Sequence, residues 1–443
     1  MNFIEAEGYL NHLQMHKIKL GLEAMQSFLA RVGSPEQRLR FVHVAGTNGK
    51  GSVCVTLLTA LKLAGFHVGM YTSPHFSTVR ERIRLNDDYI SEEEFATLAE
   101  RVIEVLAGET ITYFEFTTAV ALLWYEKRQP DLVILETGMG GRLDATNVVT
   151  PIVSLITSIS IDHQAYLGDT LAAIASEKAG IIKENIPVVA VGGQDEVTRT
   201  LSDTAASRHA PLYLLGREFS CEKRNGALWR WRGLAPPVTG EIDGLECAMK
   251  GAYQYENAAL AIAALKLLSG HGFPVDDSTL RRALLAVRWP GRLEFFRLVG
   301  ADFHKAFPAL NRQTAANFLL DGAHNPDGVE KLATTLQHDY ADLPLTLLWG
   351  AMNDKDIRAG LARLTPLCRH VVLTRAEGER AAEPEYLLSC MLENERHKAI
   401  LARRPADALT KAMNLADGGG LVVIAGSLYL LGELRPLLVG PIA

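Results

Sequence analysis

Lys50 lies within the run Gly46-Thr47-Asn48-Gly49-Lys50-Gly51-Ser52, which gathers glycine turns, one cation and one hydroxyl into seven residues. Those residue types suit a phosphate. Glycines let backbone N–H groups close on an anion, a lysine adds a point charge, and a serine hydroxyl reaches a magnesium ion carried by the same phosphates. The expected ligand is a nucleoside triphosphate. Other reactive residues stand at the ends of apolar runs: Ser73 after residues 67–71, Glu136 at the end of residues 131–136, and Asp162-His163 after residues 152–157. Magnesium prefers oxygen ligands, so Ser52, Ser73 and Glu136 are candidate partners of a metal bound with ATP, while His163 stands open between metal binding and hydrogen bonding.

The elements that must position these residues follow from periodicity. Residues 40–45 alternate toward an apolar strand, and Val53, Leu57, Leu58, Leu61 and Ala64 then recur at helical spacing. The glycine run therefore joins a strand to a helix N-terminus, where the dipole and the unpaired N–H groups favour an anion. Residues 67–71, 132–136, 152–157 and 186–191 read as buried parallel strands of a doubly wound α/β domain, whose ligands bind at the carboxyl ends of the strands. Residues 213–249, with Trp229, Trp231 and Pro236-Pro237, read as an antiparallel excursion at the sheet edge, followed by helices over 255–268 and 278–287. A junction is expected near residues 292–297, which divides the chain into domains 1–294 and 295–443. The second is a smaller Rossmann-like domain with strands near 318–320, 345–349, 370–374 and 421–425, and residues 300–316 read as a loop insertion beside the junction.

Composition narrows the function class. A chain of 443 residues exceeds one compact core, and a net charge of −6 without a basic block argues against nucleic acid as a partner. Five cysteines, far apart and without a CxxC pair, fit neither a zinc site nor a disulfide framework, and point to a reducing cytoplasm. No stretch of 18 apolar residues occurs, so no membrane partner is expected. No heptad pattern is evident, and a monomer is expected.

The glycine run departs from the common phosphate loop, because Thr47 and Asn48 alone separate Gly46 from Gly49, and Gly51 separates Lys50 from Ser52. In this it resembles the variant loop of the Mur ligase superfamily. Thr72-Ser73-Pro74-His75, residues 136–147, Asp162-His163, residues 176–183, Asn257, residues 290–294, residues 321–326, Lys355-Asp356 and residues 426–429 extend the likeness, in order, over nearly the whole chain. Together they resemble folylpolyglutamate synthase and dihydrofolate synthase.

That resemblance implies an ATP-dependent ligase, most simply one with both activities, that adds L-glutamate to dihydropteroate and to the γ-carboxylate of folates through an acyl phosphate. It implies two magnesium ions held by Ser52, Ser73, Glu136, His163 and Lys178, with Lys178 carboxylated to a carbamate, and it is compatible with a further monovalent cation. ATP would be bound by Gly46, Thr47, Asn48, Gly49, Lys50, Gly51 and Ser52 with Asn257, Arg292 and Asp321. Folate would lie against Leu20, Gly21, Thr112, Tyr113, Phe114, Glu115, Leu143, Asp144 and Ala145. Glutamate would meet Asp321, His324 and Ser427, and Lys50, His163, Lys178, Asp321 and His324 would serve catalysis. A folylpolyglutamate synthase alone, another Mur-type amino-acid ligase, and a non-catalytic nucleotide-binding protein are the alternatives. Cell-wall Mur ligases usually carry a further domain before the loop, and only 45 residues precede it here.

Overall fold

Phe41–Ala45 is buried at every position, as a strand covered on both faces must be. It is the central strand of a large sheet in a computed structural model that describes residues 1–14, 21–300, 315–416 and 419–440. The chain forms two compact units. Met1–Ala248 with Gln254–Arg288 makes the first, and Met249–Tyr253 with the chain from Trp289 makes the second.

Among the described residues the first unit has eleven strands in one sheet: β1 (Phe41–Ala45), β2 (Val68–Tyr71), β3 (Ile83–Leu85), β4 (Asp88–Tyr89), β5 (Leu132–Glu136), β6 (Val153–Ile156), β7 (Val188–Val191), β8 (Leu212–Leu215), β9 (Phe219–Lys223), β10 (Trp229–Ala235) and β11 (Val238–Leu245). Their order is β11-β10-β9-β8-β7-β6-β1-β5-β2-β3-β4. β1 lies between β5 and β6, parallel to both, with Val44 opposite Glu136 and Ala45 opposite Ile156. β2 runs parallel to β5 on its far side, with Tyr71 opposite Leu135. The loops after β1, β2, β5 and β6 therefore leave the same edge of the sheet. The strand order reverses around β1, which is where ligands of open α/β sheets bind.

The expected antiparallel excursion is β9 to β11. Its Trp229 and Trp231 are fully buried. Trp229 stacks on Tyr255 with ring centroids 5.7 Å apart, and Lys266 Nζ lies 5.9 Å from the Trp231 ring, so β10 leans on the helix Tyr253–Ser269.

The second unit holds a six-stranded sheet of β12 (Glu294–Val299), β13 (Ala315–Leu320), β14 (Leu345–Trp349), β15 (His370–Thr374), β16 (Ala399–Ala402) and β17 (Leu421–Ala425), in the order β12-β13-β17-β14-β15-β16. Among the described residues of this unit, only the β12–β13 pair is antiparallel. Leu319, Leu347, Trp349, Val371, Leu373 and Val423 form part of its core. β12 starts within the expected junction, and residues 301–314 of the expected insertion lie outside the described residues, as does Leu20. All five cysteines carry free thiols. Among the described residues no helix is long and apolar enough to cross a membrane.

Candidate active site

Gly46 follows β1, and Gly49 precedes the helix Lys50–Leu63, which starts without a side-chain cap. Both glycines have positive φ, +150° and +92°. A Cβ at Gly46 would overlap the Thr157 hydroxyl, and one at Gly49 would overlap Asn257 Oδ1, so the loop has no room for a side chain at either point. The segment after β6 clamps it. Thr47 N donates to Ser158 O (2.8 Å), Thr157 Oγ1 donates to Asn48 O (2.7 Å), and Thr47 Oγ1 donates to Ser160 O (3.1 Å).

Two lysines converge on this loop. Lys50 Nζ donates to Gly46 O (3.1 Å) and Thr47 O (3.2 Å), while Lys178 Nζ donates to the same Gly46 O (2.9 Å). Lys178 comes from the last turn of the helix Leu171–Ala179 and is buried. Burial, with the Lys50 charge as the second cause, pulls its pKa down to about 7, against the pull of Asp162 and Asp144.

Ser52, also buried, accepts a hydrogen bond from Gln254 Nε2 (3.3 Å), and Gln254 Oε1 accepts from Asn257 Nδ2 (2.9 Å). Asn257, a residue expected to contact the nucleotide, lies against the loop beside a Gln254 that the sequence reading did not single out. The signal for it was its place one helical turn before Asn257 on a shared face.

Glu136 is 3% exposed, and its Oε2 accepts from Ser73 N (3.3 Å). This joins two expected metal ligands from the ends of β5 and β2. His163 sits in a left-handed conformation (φ +51°), its N donating to Asp162 Oδ1 (2.8 Å) and its ring 4.0 Å from Asp162 Oδ2. Among the described residues no three His, Cys, Asp or Glu side chains gather as a metal group; the expected set also draws on Ser52, Ser73 and Lys178.

Several expected folate contacts have structural work of their own. Asp144 Oδ2 accepts from Gly138 N and Met139 N (both 2.9 Å), and its Oδ1 accepts from Thr146 N (3.0 Å). It thereby shapes the glycine loop after Glu136. Burial raises its pKa, and those hydrogen bonds oppose the rise. Thr112 and Glu115 form a capping box at the start of the helix Tyr113–Arg128, with Thr112 N donating to Glu115 Oε2 (2.7 Å) and Glu115 N to Thr112 Oγ1 (3.2 Å). Phe114 lies 5.8 Å from the Tyr71 ring and fills the space a Cβ on Gly138 would need, while Arg82 stacks over Tyr113 at 5.2 Å. Ala145 is buried, and Gly21 and Leu143 lie in irregular segments. Sequence reasoning also missed His43, fully buried on β1, whose Nε2 lies 2.8 Å from Thr146 Oγ1.

In the second unit Asp321 follows β13. Its carboxylate accepts from Leu293 N (2.8 Å) and Ala323 N (2.9 Å). Burial raises its pKa, while the Arg292 guanidinium pulls it down. His324 Nδ1 donates to Gly322 O (2.7 Å), and the buried Ser427 caps the helix Leu428–Val439 by accepting from Tyr429 N (3.1 Å). Arg292, Asp321, His324 and Ser427 are thus all held on loops at the ends of β13 and β17 or just before β12.

The chain is similar to known proteins over nearly its whole length. Residues 44–265 match the Mur ligase middle domain, and residues 309–428 match the glutamate ligase domain of Mur ligases. The folylpolyglutamate synthase of Lacticaseibacillus casei is 32% identical over 448 residues, covering 99% of each chain. The dihydrofolate synthase/folylpolyglutamate synthase of Bacillus subtilis is 32% identical over 453 residues, covering 97% of this chain and 98% of its own. The structure of Escherichia coli FolC in complex with DHPP and ADP superposes with a TM-score of 0.85 at 30% identity, over 99% of this chain and 97% of that one. Fold and site together define an ATP-dependent, amide-forming ligase of the Mur type. Within that class the chain belongs to the folylpolyglutamate synthase/dihydrofolate synthase family.

Proposed function

We propose that this protein joins L-glutamate to dihydropteroate and to the γ-carboxylate of folates, at the expense of ATP. The observation that carries the reading is the convergence of Lys50 and Lys178 on the Gly46 carbonyl, inside a glycine loop at the switch point of the sheet. A carboxylate resists attack by an amine because oxide is a poor leaving group. The γ-phosphoryl of ATP passes to one carboxylate oxygen, ADP departs, the glutamate amine attacks the acyl carbon, and phosphate leaves as the amine gives up a proton. Such transfer is governed by positioning and by neutralising the phosphoryl oxygens. Gly46 to Ser52 cradle the phosphates, and Lys50 supplies charge beside them. Asn257, Arg292 and Asp321 complete the nucleotide contacts, while Asp321, His324 and Ser427 receive glutamate, His324 orienting the amine.

Ser52, Ser73, Glu136 and His163 would hold two magnesium ions together with a carboxylated Lys178. The fit rests on the donor set, since hydroxyls and a buried carboxylate are the oxygen donors magnesium prefers. When bound, the ions neutralise phosphate charge. A buried ammonium beside Lys50 is out of place there, and a carbamate would turn the position into an oxygen donor. Gly21, Thr112, Tyr113, Phe114, Glu115, Leu143, Asp144 and Ala145 would line the folate side. Free thiols fit a reducing compartment, and a cytoplasmic monomer acting on small molecules is the form proposed.

The test is phosphate release by the purified protein with ATP, magnesium and glutamate, comparing dihydropteroate, tetrahydrofolate and no acceptor, with products identified by mass. Glutamate on both acceptors is the expected result. Activity with tetrahydrofolate alone would reduce the protein to folylpolyglutamate synthesis, and silence with both would overturn the folate reading. Lys178 is tested separately: ¹³C-bicarbonate should give a carbamate resonance that Lys178→Arg lacks.

A further inference from the structure

Arg292 stands on a loop whose shape is costly. Gly291 and Leu293 on either side of it both have left-handed backbones, φ +64° and +45°, and for a leucine that conformation persists only when its surroundings over-determine it. Gly322 N donates to Gly291 O (2.8 Å), Leu293 N donates to Asp321 Oδ2 (2.8 Å), and Gly291 N donates to Glu294 Oε2 (2.9 Å). Arg292 Nη1 itself donates to Gly291 O (3.2 Å), so the guanidinium is folded against the loop.

The third tie has a second storey. Arg435 grips Glu294 with two nitrogens, Nε to Oε2 at 3.0 Å and Nη2 to Oε1 at 2.8 Å. Their side chains are 13% and 21% exposed, which removes the pair from the class of loose surface bridges. Arg435 arrives from 141 residues further along, on the helix Leu428–Val439. The start of that helix also abuts the loop, since a Cβ on Gly322 would overlap both Arg292 Nη1 and the Leu428 side chain.

We propose that Arg435 is a positioning residue for nucleotide binding: by fixing the Glu294 carboxylate against the Gly291 amide, it holds Arg292 in the orientation that meets the nucleotide. Without Arg435, Glu294 turns to water, Gly291 N loses its acceptor, and Arg292 samples other directions before binding. The inference rests on the reading of Arg292 as a nucleotide contact. It adds to that reading a residue of the helix Leu428–Val439, 141 positions after the Glu294 that it holds.

The experiment is a double-mutant cycle in the full-length protein, with Arg435→Met, Arg292→Ala and the combined variant, measuring Mg·ADP affinity by calorimetry and KM for ATP and for glutamate. Arg435→Met should weaken ADP about tenfold, the size of a lost charged hydrogen bond, and raise KM for ATP more than KM for glutamate. The combined variant should bind ADP within twofold of Arg292→Ala, because Arg435 has nothing left to orient. Losses that multiply, or an ADP affinity of Arg435→Met within twofold of wild type while Arg292→Ala is impaired, overturn the inference alone. Arg292→Ala with undiminished ADP affinity overturns the nucleotide reading of Arg292 and the inference with it. If Arg435→Met does not fold, Arg435→Gln takes its place under the same criteria, since its shorter, neutral side chain cannot grip the Glu294 carboxylate with two charged nitrogens.

Discussion

Replacing Gly49 by alanine separates two reasons for a glycine in the phosphate loop. The backbone there has φ +92°, and Gly65, at the far end of the same helix, has φ +96°. A left-handed alanine costs roughly 1–2 kcal/mol at either position, partly offset by the smaller freedom of the unfolded chain. At Gly65 a new Cβ meets nothing within 4 Å, so Gly65→Ala should lose about 1 kcal/mol. At Gly49 the Cβ overlaps the Asn257 amide, which donates at 2.9 Å to the fully buried Gln254. Displacing Asn257 leaves that carbonyl without its donor, about 1–3 kcal/mol more, for a total of about 2–4 kcal/mol. Urea unfolding of both variants beside the wild type measures the difference, and ADP titration should show a loss for Gly49→Ala only. Equal losses of stability in the two variants, or undiminished ADP binding by Gly49→Ala, would refute the argument that Asn257 closes the loop.

His43 gives a pH prediction. Burial, helped by the Lys183 charge, pushes its pKa from 6.5 to about 3, so the unfolded chain takes up a proton that the folded chain refuses. Its contribution to stability is complete above about pH 6.5 and drains away as pH falls toward 3, about 2 kcal/mol of it between pH 7 and 5. His75, also held near 3 by burial and by Arg82, acts in the same direction, so the check is the difference in pH slope between wild type and His43→Gln; identical slopes would exclude the His43 share. Asp144→Asn leaves one acceptor oxygen where Gly138, Met139 and Thr146 now donate to two. It should cost about 1–3 kcal/mol and raise KM for the folate acceptor while KM for ATP stays put, and unchanged constants for both would dissociate Asp144 from the folate side.

Much of the framework was legible because parallel strands buried on both faces must be unbroken apolar runs. Residues 132–136, 345–349, 370–374 and 421–425 are strands over those same bounds. The ends of other runs frayed: 152–157 pairs only as Val153–Ile156, because the polar Thr157 and Ser158 turn away to clamp the phosphate loop. At the site, a single contiguous motif was enough to find the loop, since its ligand groups are backbone amides a few residues apart. What stayed hidden depends on pairings between distant positions. The Thr112–Glu115 cap is the local exception, since a threonine followed three positions later by glutamate is a capping-box pattern in the sequence itself. His43 and Thr146 are 103 positions apart, and Glu294 and Arg435 are 141 apart; no local pattern encodes such partners.

The antiparallel excursion of β9 to β11 lies at the edge of the sheet, and an engineer seeking a minimal version of this protein would cut it first. The Trp229–Tyr255 stack argues otherwise. Tyr255 follows Gln254 directly and stands two positions before Asn257, so excising β10 would withdraw the wall that keeps the first turn of that helix in place. Shortening is safe at the turns, such as the exposed Asn225–Gly226 between β9 and β10, and unsafe in the strands. A lineage under pressure to lose sequence would meet the same boundary: the hairpin can shrink at its tips, but its tryptophan face must remain as long as the protein needs its nucleotide.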